Sequence, residues 1–309
     1  MQPEQSAIGN RKSATLVECV PNFSEGRKPE VVDQIARAIV SADGTTVLNR
    51  HIDPDHNRSV ITFVAPLENI VEGALRAVAK AAELIDLSKH GGEHPRIGAT
   101  DVLPFVPVSG VTIDDCVTLA HEAGNRIWKE LSIPVYFYER AALRSDRERL
   151  EHVRCKGFEA LRQAIATNPD WKPDVGEATL HPTAGAIAVG ARQFLIAFNV
   201  TLETSDIMIA RRVARVVRER DGGLPFVKAL GFELQSRGIV QVSMNLTNYE
   251  QTSITRAFEA VRDEAERLGA KVHGAEIVGL VPRAALDRHA SYFPLLENFN
   301  ETVILENLT

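Results

Sequence analysis

Twice along this chain the spacing of apolar residues alternates between the two-residue period of a strand and the 3.6-residue period of a helix, both times in the same order. In the first run, residues 15–20 read as a strand and 28–42 as a helix with Pro29 in its first turn and Gly44 past its end. The β-branched runs 45–51 and 58–64 read as two strands, 67–87 as a long helix and 102–108 as a strand. A further helix over 113–131 and strand over 134–138 extend it. The second run gives a strand over 193–202, a helix over 205–219, strands over 226–234 and 239–246, a helix over 253–268 and a strand over 272–281. Each run is β-α-β-β-α-β, which folds into one antiparallel sheet with helices on one face. The expectation is an α+β fold of two ferredoxin-like subdomains with a ligand cleft between them. A disordered leader over 1–14 precedes a first subdomain over 15–190 and a second over 191–309. The stretch 168–190, rich in Pro, Gly and small residues, reads as the junction, and a first half ending near Asp170 is expected to fold by itself.

Composition narrows the class. At 309 residues, 44% hydrophobic and 25% charged, the chain is long enough for two cores. No apolar run approaches the ~20 residues of a membrane span, and the polar first fifteen residues have no signal-peptide core. Cys19, Cys116 and Cys155 are odd in number and far apart, which suggests neither a disulfide framework nor a zinc cluster. A cytoplasmic protein without a membrane partner follows. The net charge of −6 argues against general nucleic-acid binding. Arg211, Arg212, Arg215, Arg218 and Arg220 form the one basic run that could oppose this. They fall opposite the apolar face of the 205–219 helix, as a solvated face.

The chemistry concentrates in His90-Gly91-Gly92-Glu93-His94-Pro95-Arg96-Ile97-Gly98-Ala99-Thr100-Asp101. The H-x-x-E-H spacing of some zinc peptidases is present, but Gly91, Gly92 and Pro95 deny the helix that pattern requires. A general acid/base histidine on a loop is the better reading, because imidazole titrates near working pH. Asp53-Pro54-Asp55-His56-Asn57-Arg58 begins like a calcium loop but carries Arg58 and Val64 where glycine and glutamate are needed. It is a polar turn that could face a substrate. Gly185 and Gly190 have phosphate-loop spacing, yet Ala191-Arg192 replaces the Lys-Ser/Thr pair. No G-x-S-x-G elbow is present, so a covalent nucleophile is not supported.

Leu16-Val17-Glu18-Cys19-Val20-Pro21-Asn22-Phe23-Ser24-Glu25-Gly26 resembles the opening of the glutamate formimidoyltransferase (formiminotransferase) family. Gly92-Glu93-His94-Pro95-Arg96-Ile97-Gly98-Ala99, Asp101-Val102-Leu103-Pro104-Phe105-Val106-Pro107-Val108, Gly190-Ala191-Arg192-Gln193-Phe194-Leu195-Ile196-Ala197-Phe198-Asn199 and Val278-Gly279-Leu280-Val281-Pro282 resemble the same family in order. The resemblance spans about residues 16–285 and implies a two-subdomain transferase. It would move the formimino group from N-formimino-L-glutamate to N5 of tetrahydrofolate in histidine degradation, with tetrahydrofolate as co-substrate and no metal.

By the same resemblance the catalytic histidine is His94. Folate contacts fall on Gly176-Glu177-Ala178-Thr179-Leu180-His181-Pro182-Thr183-Ala184-Gly185 and on Leu224. The chain ends at Thr309, so the cyclodeaminase domain of animal members is expected to be absent. Two positions depart from the family: Asn49 and His51 stand where an aspartate is common, and the 176–185 loop lacks an aromatic residue. Both substrates carry carboxylates, which makes Arg58, Arg96 and Arg192 candidate anchors. Asp101 or Asp53 would steady the cationic amidine or orient His94. A folate-dependent enzyme using another one-carbon donor, such as a formyl group, a non-catalytic folate-binding protein and a metal-dependent hydrolase are the rivals. Partners are the two small molecules, with a homodimer allowed.

Overall fold

The computed structural model describes residues 15–91, 95–297 and 299–307; the expected leader lies outside them. Strand β1 (Leu16–Cys19) and strand β2 (Asn22–Phe23) are one strand path interrupted at Val20-Pro21, where proline has no N–H to give the ladder. Helix α1 (Pro29–Val40), strands β3 (Thr46–Asp53) and β4 (Arg58–Ala65), helix α2 (Ile70–Leu84) and strand β5 (Thr100–Ser109) follow. Side by side the strands run β3, β4, β1/β2, β5, all antiparallel neighbours. The second half repeats the pattern with β8 (Ile196–Leu202), α6 (Ile207–Val217), β9 (Val227–Leu234), β10 (Ile239–Leu246), α7 (Ile254–Arg267) and β11 (Val272–Val278), ordered β9, β10, β8, β11. Numbered along each unit, both sheets have the order 2-3-1-4. The repeat expected from periodicity is therefore present at the level of strand neighbours.

Helix α3 (Ile113–Leu131), begun by a Thr112–Asp115 capping box, leads to strand β6 (Val135–Glu139) and two short helices, α4 (Leu150–Arg154) and α5 (Gly157–Ala164). The chain then forms β7 (Ile187–Ala191) between β5 and β6, parallel to both. The last four residues of the stretch read as a junction thus belong to an internal strand of the first sheet. Its partners carry it one residue past the expected boundary, Ala191 lying opposite Phe105 and Glu139. The Ile187-Ala-Val-Gly-Ala composition misled because the strand is covered on both sides, and the face of Ala188 and Gly190 has room only for small residues. A Cβ on Gly190 would lie 2.5 Å from the Tyr138 ring.

Ile61, Phe63, Leu103, Phe105, Ile187 and Val189 point to the helices α1, α2 and α3. The opposite face is divided. Over β5, β7 and β6, Tyr136 and Tyr138 pack with Phe158 and Leu161 of α5. Over β3, β4 and β1 lies the second half. Phe198, Val200, Val242 and Met244 face their own helices, which turns Asn199, Thr201 and Gln241 the other way, and these polar residues are nevertheless buried. Asp55 accepts hydrogen bonds from Ser236 N and Oγ at 3.1 and 2.6 Å, and Glu276 approaches His51 at 3.7 Å. The two sheets meet back to back across a polar seam.

A first half cut near Asp170 lacks β7 and leaves β5 and β6 without their shared neighbour. By circular dichroism and thermal melting, a fragment ending at Arg192 should show native-like structure and a cooperative transition. The fragment ending at Asp170 should show neither. Equal melting of the two would contradict the place given to β7.

Candidate active site

The turn between β3 and β4 organises one end of the seam. Asn57 sits at φ 46°, a left-handed conformation asparagine tolerates better than most residues. Its Oδ1 accepts from Gly26 N at 3.0 Å, its Nδ2 donates to Gly91 O at 2.9 Å, and its backbone carbonyl accepts from His90 Nε2 at 3.0 Å. One residue thereby ties the β3–β4 turn to the segments after β2 and after α2. The close approach leaves no room for a side chain at Gly26, where a Cβ would sit 2.1 Å from Asp53 O. The oxygens suggestive of calcium are used within the protein, since Asp55 docks the second half and Asp53 holds His56.

Phe23, Ser24, His56, Asn57, Arg58, His90, Arg96 and Asp101 surround a cavity of about 10 Å³, room for a single water. Arg96 Nη2 donates to His90 O at 2.8 Å and to Glu159 at 2.9 Å. Asp101 accepts from Ile97 N at 2.7 Å and from Arg154 at 2.8 Å, so its carboxylate positions the loop and Arg154. Burial, and then the Arg154 charge, lower Arg58 to about 10. Burial also lowers His90, against the pull of its bond to Asn57. The bond to the Asn57 carbonyl places a ring proton of His90 on Nε2. Two guanidiniums, Arg58 and Arg96, at one cavity make it receptive to a carboxylate.

Of the expected site residues, Arg58, Arg96 and Asp101 come together at this cavity. His94 lies outside the described residues, between Gly91, which Asn57 holds, and Arg96. The 176–185 loop closes on the same segment: Ala99 N donates to Ala184 O, and Ala186 N to Ile97 O, both at 2.9 Å. His181 caps its tip, its Nδ1 accepting from Ala184 N at 3.0 Å. Gly185, at φ 71°, has Ile97 O within 2.2 Å of where a Cβ would be.

Two residues stand apart from this group. Arg192 bonds Phe105 O, four residues along β5 from Asp101 or about 13 Å at strand rise. Leu224 packs on the second core beside α6.

Three further residues belong to the site region, beyond those that local sequence points to, and a fourth stands off beside Arg192. Arg154 meets Asp101 across 53 positions, and Phe232 of the second half lies edge-on to His56, 4.8 Å between ring centres. His56 itself had a signal in its spacing from Asp53. The fourth, Glu18, projects from the middle of β1 on the seam face and is 2% exposed. Burial pushes its carboxyl up to about 7, with the Arg192 charge opposing.

Comparison with known proteins places this geometry. The model of the formiminotransferase domain, N-terminal subdomain, matches residues 16–192, and that of the formiminotransferase domain matches 197–307. The chain belongs to the formiminotransferase family. Among its relatives, the glutamate formimidoyltransferase of Thermoplasma acidophilum is 50% identical over 94% of this chain and 96% of its own length. That of Streptococcus pyogenes serotype M1 is 45% identical over 95% and 98%. The formimidoyltransferase-cyclodeaminase of Mus musculus is 45% identical over 90% of this chain, which spans 52% of that protein. The two formiminotransferase matches meet between residues 192 and 197, where the chain leaves β7 for β8.

Glu18 gives a stability prediction. Its folded-state value of about 7 exceeds the ordinary 4.5, so the folded protein holds the proton more tightly. Stability should fall as pH rises from about 4.5 to 7, by on the order of 3 kcal/mol. Glu18→Gln should remove that slope and melt higher than the parent at pH 8. A parent and variant with parallel melting curves from pH 5 to 8 would contradict this.

Proposed function

We infer that this formiminotransferase moves the formimino group of N-formimino-L-glutamate to N5 of tetrahydrofolate, giving 5-formiminotetrahydrofolate and L-glutamate. The observation that carries the reading is the identity of 45–50% with two glutamate formimidoyltransferases across nearly the whole of both chains. A relation that even across both halves favours the formimino donor over the formyl donor and over a binding-only protein. Histidine breakdown supplies such a donor, and the enzyme is read as cytoplasmic.

The chemistry suits the cavity wall. N5 attacks the amidine carbon, a tetrahedral intermediate forms, and the glutamate nitrogen departs. One proton must leave N5 and one must reach the departing nitrogen, work for an imidazole. His94 is the proposed catalytic residue, on a loop whose flanks are held by Asn57 and Arg96. Arg58 and Arg96 are proposed to anchor a carboxylate near the reacting carbon. Arg192, about 13 Å along the strand, is proposed to meet a more distant part of the substrates. The 176–185 loop, sewn to 97–99, is proposed to hold folate, with Leu224 as a contact from the second half. An amidinium is already electrophilic, so the proposed route needs no metal. Among the described residues no group of three or more His, Cys, Asp or Glu side chains could hold one.

Incubation with formiminoglutamate and tetrahydrofolate should yield 5-formiminotetrahydrofolate and glutamate in equal amounts, and absence of product would overturn the reading. His94→Ala should lower kcat about 10²–10⁴-fold. His90→Ala should retain much more activity, since His90 spends its Nε2 on Asn57. Near-normal kcat in His94→Ala would remove His94 from the mechanism. Exhaustive chelation should leave the rate unchanged, and a loss restored by zinc would refute the metal-free route.

A further inference from the structure

The β3–β4 turn carries a carboxylate–imidazole pair that the mechanism above leaves unused. Asp53 Oδ2 accepts from His56 Nδ1 at 2.5 Å, and Asp53 Oδ1 accepts from the His56 backbone N–H at 2.9 Å. Both carboxylate oxygens thus hold one residue, and the ring's tautomer and direction are set together. His56 is 7% exposed. It lines the same cavity as Arg58, His90, Arg96 and Asp101, and the edge-on ring of Phe232 bounds it from the second half. Burying an imidazole against a carboxylate is costly unless the pair is well bonded, and this one is.

The other histidine of the cavity is committed differently. His90 gives its Nε2 proton to a backbone carbonyl, a neutral acceptor that offers little to an imidazolium. Asp53 offers His56 a full negative charge. An imidazole whose Nδ1 proton rests on a carboxylate is fixed with Nε2 as its exchanging nitrogen, and its cationic form is stabilised once a proton arrives. Of the two, His56 is the one whose ring is held by a carboxylate.

We propose that His56, positioned by Asp53, is a second proton-transfer residue of the formimino transfer, taking the proton that N5 of tetrahydrofolate loses. The assignment rests on the transfer reaction inferred above and divides between two imidazoles the work that one could do in turn. As the N5–carbon bond forms, the N5 proton passes to His56 Nε2, and the positive charge is balanced by Asp53. As the bond from carbon to the glutamate nitrogen breaks, protonated His94 gives that nitrogen a proton. One proton has moved from the attacking to the departing nitrogen, no electrons are gained or lost, and exchange with solvent restores both rings. Asp53 acts only through His56 and is a positioning residue.

The test uses the full chain with formiminoglutamate and tetrahydrofolate, after the parent has been shown to form 5-formiminotetrahydrofolate. An inactive parent counts against the reaction itself, not against His56. His56→Gln, which keeps a donor toward Asp53, should lower kcat about 100-fold or more while both KM values stay within about threefold. His56→Ala should lose as much, and added imidazole should recover at least about tenfold of it, which no packing role would allow. Asp53→Asn should lower kcat about tenfold or more, again with KM held. Melting temperatures identify any variant that fails to fold, and His56→Gln then carries the test. If His56→Gln keeps kcat within threefold of the parent, or its loss falls in KM alone, the assignment is wrong.

Discussion

A sheet that carries its helices on one face must have the other face covered, or its strands stand half in water. Everything distinctive about this protein follows from how that second face is closed. In the first half, α4 and α5 cover one side of it with Tyr136, Tyr138 and Phe158, a dry cluster. The rest is left for the second half, whose own uncovered face is polar. Glu18, Thr62, Asn199, Thr201 and Gln241 would be poor core residues, and all of them are buried.

The contacts that close the seam also shape the end where the cavity lies. Asn57 ties its own turn to two other segments, through two side-chain bonds that use both ends of the amide and one bond to its backbone carbonyl. The turn it anchors sends Asp55 to the second half and holds His56 between Asp53 and Phe232. The same turn thus carries both the docking contact Asp55 and a residue of the cavity wall, His56. Separating the two sheets would remove Phe232 from His56 and Ser236 from Asp55 together.

The ferredoxin-like units were legible in the sequence because their helices have clean apolar faces, such as Ile254, Ala257, Phe258, Val261 and Ala265 of α7. Strand β7 was not, because alternation of large and polar residues is the mark of a strand with one wet face, and this one has none. Local sequence also pointed to the 90–101 loop and to Arg58 and Arg96, whose roles follow from neighbouring residues. It was blind to pairs closed by the fold. Arg154, which bonds Asp101 from 53 positions away on a short helix, left no local signal of that pairing. His56 looked like part of an ordinary polar turn because Phe232, which encloses it, lies in the other half.

The insertion of β7 between β5 and β6 has a consequence for how the chain leaves the ribosome. Translation delivers β6 well before Ile187, and at ~5–20 residues per second the interval lasts a few seconds. Throughout it, β5 and β6 present open edges to each other across an empty strand position, the arrangement most prone to recruit a foreign strand. Helices α4 and α5 emerge during that interval and belong to the face that shields those strands. Slow codons within the α4–α5 region would prolong the stage at which those edges stand open.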